Sequence, residues 1–334
     1  MVLHPPARSG EEPLLRLWPV SLRVSIGIPI YNEEAVIPTL LARTLSVLDA
    51  TPGGPHELLL VDDGSRDRSQ ELLLKAAALD PRVAVVVFSR NFGHQAALSA
   101  VYDFCRGDVL LVMDGDLQDP PEALPVLLDR MKDGYDVVFV RRKGRKEPLL
   151  LRASYHIAYR IIARMSRLAL PVDAGDFALL SRRAVDAVRT LPERQRYLRG
   201  LRSWVGFRQT GVAVERDARA AGESKYSFGA LVRLALDGAF AFSTAPLRFI
   251  GVLGALVTLG GALYATYAVF AKLVLERSPQ GFTTLTVLLT SIGGMILLSL
   301  WIIGEYIGRT YEEVKRRPVY VVDRIVCARN DAAR

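Results

Sequence analysis

The sequence predicts an α/β domain with a mostly parallel sheet, followed by a hairpin of two membrane-spanning helices. From residue 24 to residue 140, short apolar segments alternate with segments of helical periodicity. This alternation is typical of a parallel sheet that is covered on both faces. Two uncharged runs follow, at 249–271 and 278–304. Each run is long enough to cross a hydrocarbon core of about 30 Å as a helix.

Five strands and four helices are predicted in the α/β part. The strands are expected at 24–30, 57–61, 83–88, 109–113 and 136–140, and the helices at 34–48, 67–79, 94–104 and 122–132. Acidic residues follow the carboxyl ends of several of these strands. Ligands of open α/β sheets bind at that edge, so we expect the functional site there.

The rest of the chain divides by composition. The predicted parts are an N-terminal extension (1–22), the α/β domain (23–226), an interfacial helix (227–248), two spans (249–304, with helices at about 249–272 and 282–304) and a tail (305–334). A basic amphipathic helix is also predicted at 146–170. Its pattern fits a helix lying in a membrane interface, and an ordinary surface helix is the alternative.

The net charge is +8 and the mean hydropathy is +0.21. A basic balance suits nucleic acid, an anionic membrane surface or phosphate-bearing substrates. The excess of arginine suits forked contacts to phosphate, although a GC-rich genome gives the same bias. Two distant cysteines support neither a disulfide framework nor a zinc site. Basic residues after the second span predict a cytosolic tail, with the N-terminal domain on the same side.

A divalent-cation site is predicted at Asp114-Gly115-Asp116, with Gln118 just after it. The motif follows a buried strand, and carboxylates spaced by two residues can hold Mg²⁺ or Mn²⁺ through oxygen ligands. Such a cation can neutralise a diphosphate leaving group.

Two further polar segments follow strands. Asp62-Asp63-Gly64-Ser65 could accept hydrogen bonds from a nucleobase or ribose, and 28–34 places polar groups after the first strand. Both segments could instead be turns with helix caps, because Asp and Ser suit those positions too.

The ordered motifs resemble glycosyltransferase family 2. The four N-terminal motifs are IPIYNEE, VDDGSRDRS, SRNFGHQAAL and MDGDLQDPPE, and the later segments include DAGDFALLSRRAV, YLRGLRSWVGF and RAAGESKYSFGALVRLALDG. Together with the two spans, these segments are similar to polyprenyl-phosphate sugar synthases, such as dolichyl-phosphate mannose synthases and bacterial undecaprenyl-phosphate glucosyl- and aminoarabinosyltransferases. The resemblance covers residues 24–322 and implies a GT-A-like fold.

The resemblance implies a role for each matching residue. Asp114, Asp116 and Gln118 would surround the metal and the donor diphosphate, and Asp176 would lie near the transferred sugar. The nucleotide pocket would be lined by Pro29, Tyr31, Glu33 and Asp63. Arg219 and Lys225 would contact phosphates from a loop. Arg141 and Arg152 would hold the acceptor phosphate, with Arg142 and Arg145 as competing neighbours.

The implied reaction is an inverting, metal-dependent transfer of a sugar from a nucleotide-diphosphate sugar to undecaprenyl or dolichyl phosphate. A uridine diphosphate donor is favoured, and GDP-mannose is the alternative. A processive polysaccharide synthase shares the N-terminal motifs, but 194–197 does not match the Gln-x-x-Arg-Trp pattern of such enzymes. A non-catalytic membrane scaffold and an inactive transferase are further alternatives. Nucleic acid is not expected as a partner, because acidic strand ends would repel its backbone.

The predicted location is an integral membrane position with the catalytic domain and both termini in the cytosol, and a bacterial inner membrane is favoured. Glycines in both spans permit close helix packing. Packing of these helices between protomers would make a homo-oligomer.

Overall fold

The computed structural model describes residues 21–142, 174–194, 196–214, 245–274 and 281–327. These residues form eight strands and eight α-helices. The strands are β1 Val24–Ile30, β2 Glu57–Asp62, β3 Val83–Phe88, β4 Val109–Val112, β5 Val137–Arg142, β6 Ala174–Ser181, β7 Gln209–Val214 and β8 Val322–Cys327. The helices are α1 Ile37–Ala50, α2 Ser69–Leu79, α3 His94–Phe104, α4 Leu124–Lys132, α5 Arg182–Arg189, α6 Leu198–Trp204, α7 Ala245–Val274 and α8 Phe282–Lys315.

The eight described strands form one sheet in the order β7-β5-β6-β4-β1-β2-β3-β8. Parallel pairs join β1 to β2 and β4, β2 to β3, and β5 to β7. Strand β6 is antiparallel to both β4 and β5, and β8 is antiparallel to β3. The predicted α/β fold with a mostly parallel sheet is therefore confirmed, and its GT-A-like character with it.

Helices cover the sheet on both faces. Successive residues of β2 alternate between two buried clusters, with Leu58 and Leu60 on one face and Leu59 and Val61 on the other. The first cluster packs under α1, α2 and α4, and the second packs under α3, α5 and α6. Burial on both faces explains why the strands are apolar throughout rather than alternating with polar residues.

Helix α3 is fixed at its carboxyl end by two arginines of α5. The Nη1 atom of Arg182 donates to the carbonyl of Cys105 at 2.9 Å, and Nη2 of Arg189 donates to the same carbonyl at 3.1 Å. Cations suit this end because the last carbonyls of a helix have no intrahelical donor and carry partial negative charge. The amino end of α3, where His94 lies, is thereby held at a defined position over the sheet.

The C-terminal helices agree only in part with the predicted hairpin. Helices α7 and α8 cover most of the two uncharged runs, and α7 contacts α8. Among the described residues, one segment, Ser291–Lys315, is long and apolar enough by length and composition to cross a membrane, whereas α7 offers the shorter apolar stretch Ile250–Tyr264. Helix α8 also continues through Lys315, beyond the predicted end at 304. A hairpin of two spans stays a prediction. The predicted helix at 146–170, and the predicted interfacial helix at 227–248 except for its last four residues, lie outside the described residues.

The segment after α8 returns to the sheet, which the sequence did not indicate. Strand β8 pairs with β3, and the amide of Ser89 donates to the carbonyl of Val321 at 3.0 Å. The Tyr320 ring stacks on Phe88 with 4.8 Å between ring centroids, and its hydroxyl donates to Oδ2 of Asp103 at 2.7 Å. The end of α8 is therefore held beside the α/β domain.

Replacing Tyr320 should loosen this attachment. We expect Tyr320→Phe, which loses the hydrogen bond alone, to lower the free energy of unfolding by about 1 kcal/mol. Tyr320→Ala also loses the stacked ring and should cost about 2–4 kcal/mol. Thermal unfolding of the full chain in detergent measures both variants. Equal unfolding midpoints for wild type and Tyr320→Ala would show that the segment is not attached through this ring.

Candidate active site

The edge of the sheet at the carboxyl ends of the parallel strands collects the acidic residues. Strand β6 runs antiparallel to β4, with Ala178 opposite Val112. Continuing this register beyond the end of β4 sets Asp176 opposite Asp114. The same edge receives the end of β5, where Arg141 pairs with Ala174. Residues far apart in sequence thus converge because of strand direction and register.

The Asp114–Gln118 loop has a tightly packed backbone. A side chain at Gly115 would place its Cβ 2.8 Å from Cδ1 of Ile30 and 3.2 Å from the Pro29 carbonyl, so a larger residue would require Ile30 and the loop to shift. Leu117 adopts a left-handed φ of 56°, and the amide of Gln118 donates to Oδ1 of Asp116 at 3.1 Å. These constraints turn the chain sharply directly after β4.

Three side chains meet at the centre of this edge. The Nε2 atom of His94 lies 3.6 Å from Oδ1 of Asp114 and 3.8 Å from Oδ2 of Asp176. Ligand-type atoms of the three residues all lie within 4.8 Å of one another. His94 is exposed at the start of α3, whereas the Asp176 side chain is 6% exposed.

Asp176 is paired with Arg199 of α6. The Nε and Nη2 atoms of Arg199 donate to Oδ1 and Oδ2 of Asp176 at 2.8 and 2.7 Å. This fork-to-fork geometry is the strongest form of an ion pair between arginine and carboxylate. Asp114 differs, because its Oδ1 atom is buried and accepts no hydrogen bond from the part of the chain that the structure describes.

The pKa values of Asp114 and Asp176 are consequently shifted in opposite directions. Burial raises the pKa of Asp114, and the nearby carboxylates of Asp176 and Asp116 raise it further, against the effect of His94. Burial also disfavours the charge of Asp176, but the hydrogen bonds from Arg199 and His94 outweigh it and hold the pKa of Asp176 well below its usual range. Burial opposes protonation of His94, yet both carboxylates together raise its pKa.

The ends of β1 and β2 are joined by hydrogen bonds between backbone and side chains. The amide of Asn32, which has a left-handed φ of 54°, donates to the Ser65 hydroxyl at 3.0 Å, and the amide of Glu33 donates to the Ser69 hydroxyl at 2.8 Å. Tyr31, between these loops, is 42% exposed. Ser65 and Ser69 are thus used by the loops themselves, and the nucleotide pocket lined by Tyr31 stays a prediction.

Asp63 has a structural task in addition to its predicted place in the nucleotide pocket. Its Oδ1 and Oδ2 atoms accept hydrogen bonds from the amides of Phe92 and Gly93, at 2.7 and 3.0 Å. The residue is buried. It therefore holds the loop that leads directly into His94.

The predicted site residues divide into three groups. The structure brings Asp114 and Asp176 together, with Asp116 near enough to raise the pKa of Asp114. Other predicted residues lie at the same edge, on the ends or loops of β1, β2, β4 and β5, namely Pro29, Tyr31, Glu33, Asp63, Gln118 and Arg141. Three predicted residues lie outside the described residues, namely Arg152, Arg219 and Lys225.

Sequence reasoning missed His94 and Arg199. His94 begins the helix after β3, at the edge where ligands were expected, so its position beside the acidic loops could have signalled it. No local pattern marks Arg199, because its partner Asp176 is brought to it by the fold.

Asp63→Asn should destabilise the loop before α3. The amide group of asparagine would place a donor against one of the two backbone donors, so we expect the free energy of unfolding to fall by about 1–3 kcal/mol. Thermal unfolding checks this, with the exposed Asp133→Asn as a matched control that should leave the midpoint unchanged. If the two variants unfold at the same temperature, Asp63 does not hold the loop.

Comparison with known proteins identifies the family. Residues 25–189 match glycosyl transferase family 2. The chain is 41% identical to an uncharacterized glycosyltransferase, YkcC, of Bacillus subtilis (strain 168), over 91% of this chain and 94% of that protein. It is 33% identical to a prophage bactoprenol glucosyl transferase homolog of Escherichia coli (strain K12), over 91% and 99%. It is 36% identical to an undecaprenyl-phosphate 4-deoxy-4-formamido-L-arabinose transferase of Pseudomonas paraeruginosa, over 94% and 93%. The chain is therefore a glycosyltransferase and belongs to glycosyl transferase family 2, among relatives of the polyprenyl-phosphate sugar transferase type.

Proposed function

We propose that this enzyme transfers a sugar from a nucleotide-diphosphate sugar to a polyprenyl phosphate, with inversion at the anomeric carbon. The observation that carries the proposal is the acidic edge formed by Asp114, Asp116 and Asp176, on a chain whose relatives along nearly their full length are named for polyprenyl-phosphate acceptors. A uridine diphosphate donor is favoured over GDP-mannose, and undecaprenyl phosphate over dolichyl phosphate.

In the proposed reaction, a phosphate oxygen of the lipid attacks the anomeric carbon. The new C–O bond forms as the bond to the donor diphosphate breaks, and the nucleoside diphosphate leaves with the electron pair. A phosphate monoester has a second pKa near 6, so the attacking group is largely ionised at neutral pH. The enzyme therefore has to position the two anionic substrates and screen their charge, rather than remove a proton.

Arginines suit the acceptor phosphate. Arg141 is exposed at the end of β5, on the edge that carries Asp114 and Asp176. Its guanidinium could bind phosphate in a bidentate manner. Arg152 is proposed as a second contact to the acceptor phosphate, with Arg142 and Arg145 as the alternatives to these two arginines. Arg219 and Lys225 are proposed as contacts to the donor phosphates.

The Asp114 loop fits a divalent cation. The buried Oδ1 atom of Asp114 accepts no hydrogen bond from the described residues, and an oxygen in this state is suited to a hard cation. Asp114, Asp116 and Gln118 would hold Mg²⁺ or Mn²⁺. When bound, the cation would neutralise charge on the leaving diphosphate. Asp176 is paired with Arg199, so we propose that it contacts the transferred sugar and is not a ligand of the cation.

The proposed location is a bacterial inner membrane, with the catalytic domain and both termini in the cytosol. Large apolar side chains are exposed along α7 and α8, among them Leu256, Leu263 and Leu297 at 61%, 65% and 69%. A contiguous apolar surface of this extent suits lipid. Because β8 attaches the end of α8 to the sheet, the active-site edge would be held at a fixed height relative to the membrane.

The proposed reaction can be tested by measuring transfer of label from radiolabelled nucleotide-sugars to undecaprenyl phosphate in membranes. We expect one donor to label the lipid fraction, and EDTA to abolish the label because the donor diphosphate loses its counter-charge. Restoration of the label by Mg²⁺ or Mn²⁺ identifies the metal requirement. If no donor labels the lipid while the protein is folded and inserted, the proposed acceptor is wrong.

Asp116→Ala should reduce this transfer by at least about 100-fold, because loss of a group that stabilises transition-state charge typically costs that much. The exposed Asp129→Ala on α4 is the matched control and should retain wild-type transfer. Initial rates at saturating donor measure both variants. Wild-type rates from Asp116→Ala would remove this residue from the metal site.

A further inference from the structure

Arg199 of helix α6 holds both oxygens of the Asp176 carboxylate, which contact with a sugar alone would not require. Both of its oxygens accept hydrogen bonds from the guanidinium of Arg199, and the aspartate side chain is 6% exposed against 28% for the arginine. The ion pair therefore lies at the floor of the site, with the arginine on the more open side. Its two parallel bonds fix the plane of the carboxylate as well as its position.

A second arginine of α6 holds the backbone beside it. Arg202 is one helical turn after Arg199 and is 2% exposed, and its Nη2 atom donates to the carbonyl of Gly175 at 3.2 Å. Its guanidinium lies 5.9 Å from the centre of the Phe139 ring. The Nε atom has no acceptor among the described residues. A buried cation in this state costs stability, so its presence points to a task other than stability.

Helix α6 is in turn tied to the helix that carries His94. The amide of Leu198, in the first turn of α6, donates to Oε1 of Gln95 at 3.1 Å. The same short helix thus holds the Asp176 side chain through Arg199, holds the preceding peptide through Arg202, and is anchored to the residue next to His94. Helix α6 therefore holds two of the three central residues, Asp176 through Arg199 and His94 through the neighbouring Gln95.

We propose that Arg199 is a positioning residue for sugar transfer: it fixes the orientation of the Asp176 carboxylate, while Arg202 fixes the peptide that carries it. The inference deepens the proposed function and rests on it. An ionised carboxylate offers about four acceptor directions. Arg199 occupies two of them, and His94 lies 3.8 Å from Oδ2. A remaining direction can accept a hydroxyl group of the transferred sugar, so Asp176 orients the sugar as an acceptor and does not act as a base.

A double-mutant cycle tests the coupling. We expect Arg199→Gln and Asp176→Asn each to lower kcat by about 10- to 100-fold, because a misplaced reacting group loses that much. The KM for the donor should change less than about threefold, since the nucleotide would bind at the β1 and β2 loops. The double variant should be no slower than the slower single variant, and Arg199→Lys should recover part of kcat. Losses that multiply, or a change confined to KM, would overturn the proposal.

Arg208→Gln is the matched control. Arg208 is exposed, lies over the Tyr135 ring, and immediately precedes β7 at the opposite edge of the sheet, where its carbonyl accepts hydrogen bonds from the amides of Asp136 and Val137. It should retain wild-type kcat and KM, which would show that loss of one positive charge from the domain does not by itself lower kcat.

Thermal unfolding of the wild type, the two single variants Arg199→Gln and Asp176→Asn, and their double variant separates this proposal from the proposed function. Absence of lipid labelling by the wild type would refute the polyprenyl acceptor without touching the pairing. In that case, each single variant should still lower the unfolding midpoint, because Arg199→Gln leaves the buried Asp176 carboxylate without its arginine and Asp176→Asn removes both hydrogen-bonded charge contacts of Arg199. The double variant should unfold at a higher temperature than the less stable single variant. Midpoint shifts that simply add would show that Arg199 does not act through Asp176.

Discussion

The parallel alignment of β1, β2 and β4 is the constraint on which the active site depends. Because these strands run in the same direction and in register, their carboxyl ends meet at one edge and their following loops face the same solvent. The antiparallel β6 then brings Asp176 to Asp114 from the opposite chain direction. The contacts of Asp114 with His94 and Asp176 rely on this arrangement, since the three residues come from a loop, a helix and a strand that are far apart in sequence.

The surroundings of Asp114 and Asp176 differ, and they shift the pKa values of these two carboxylates in opposite directions. Asp114 lies beside like charges, and its buried Oδ1 atom accepts no hydrogen bond from the described residues, which suits the proposed cation site. Asp176 is more enclosed, with its side chain 6% exposed against 29% for Asp114, and it is paired with Arg199. Opposite pKa directions within a few ångströms are typical of catalytic sites. His94 lies between them and belongs to both environments.

The sequence predicted what is local and left out what is distant. Strands β1 to β5, helices α1 to α4 and the acidic loop after β4 follow from periodicity and from the residues that end each strand. Strands β6, β7 and β8 did not, because their assignment depends on partners far along the chain. Arg199 was missed for the same reason: it lies on a seven-residue helix, and its role depends on a β6 residue. The predicted pair of spans rested on charge-free length alone. The described helices support one such segment by length and composition.

The position of β8 has a consequence for how the protein is made. Strand β3 is formed early in the chain, yet its outer neighbour comes after both long apolar helices. At a synthesis rate of about 5–20 residues per second, β3 waits on the order of ten seconds or more with an unpaired edge, which is a hazard for aggregation. The α/β domain can therefore complete its sheet only after the apolar helices have left the ribosome. Synthesis of the two long apolar helices and completion of the sheet follow that order in time.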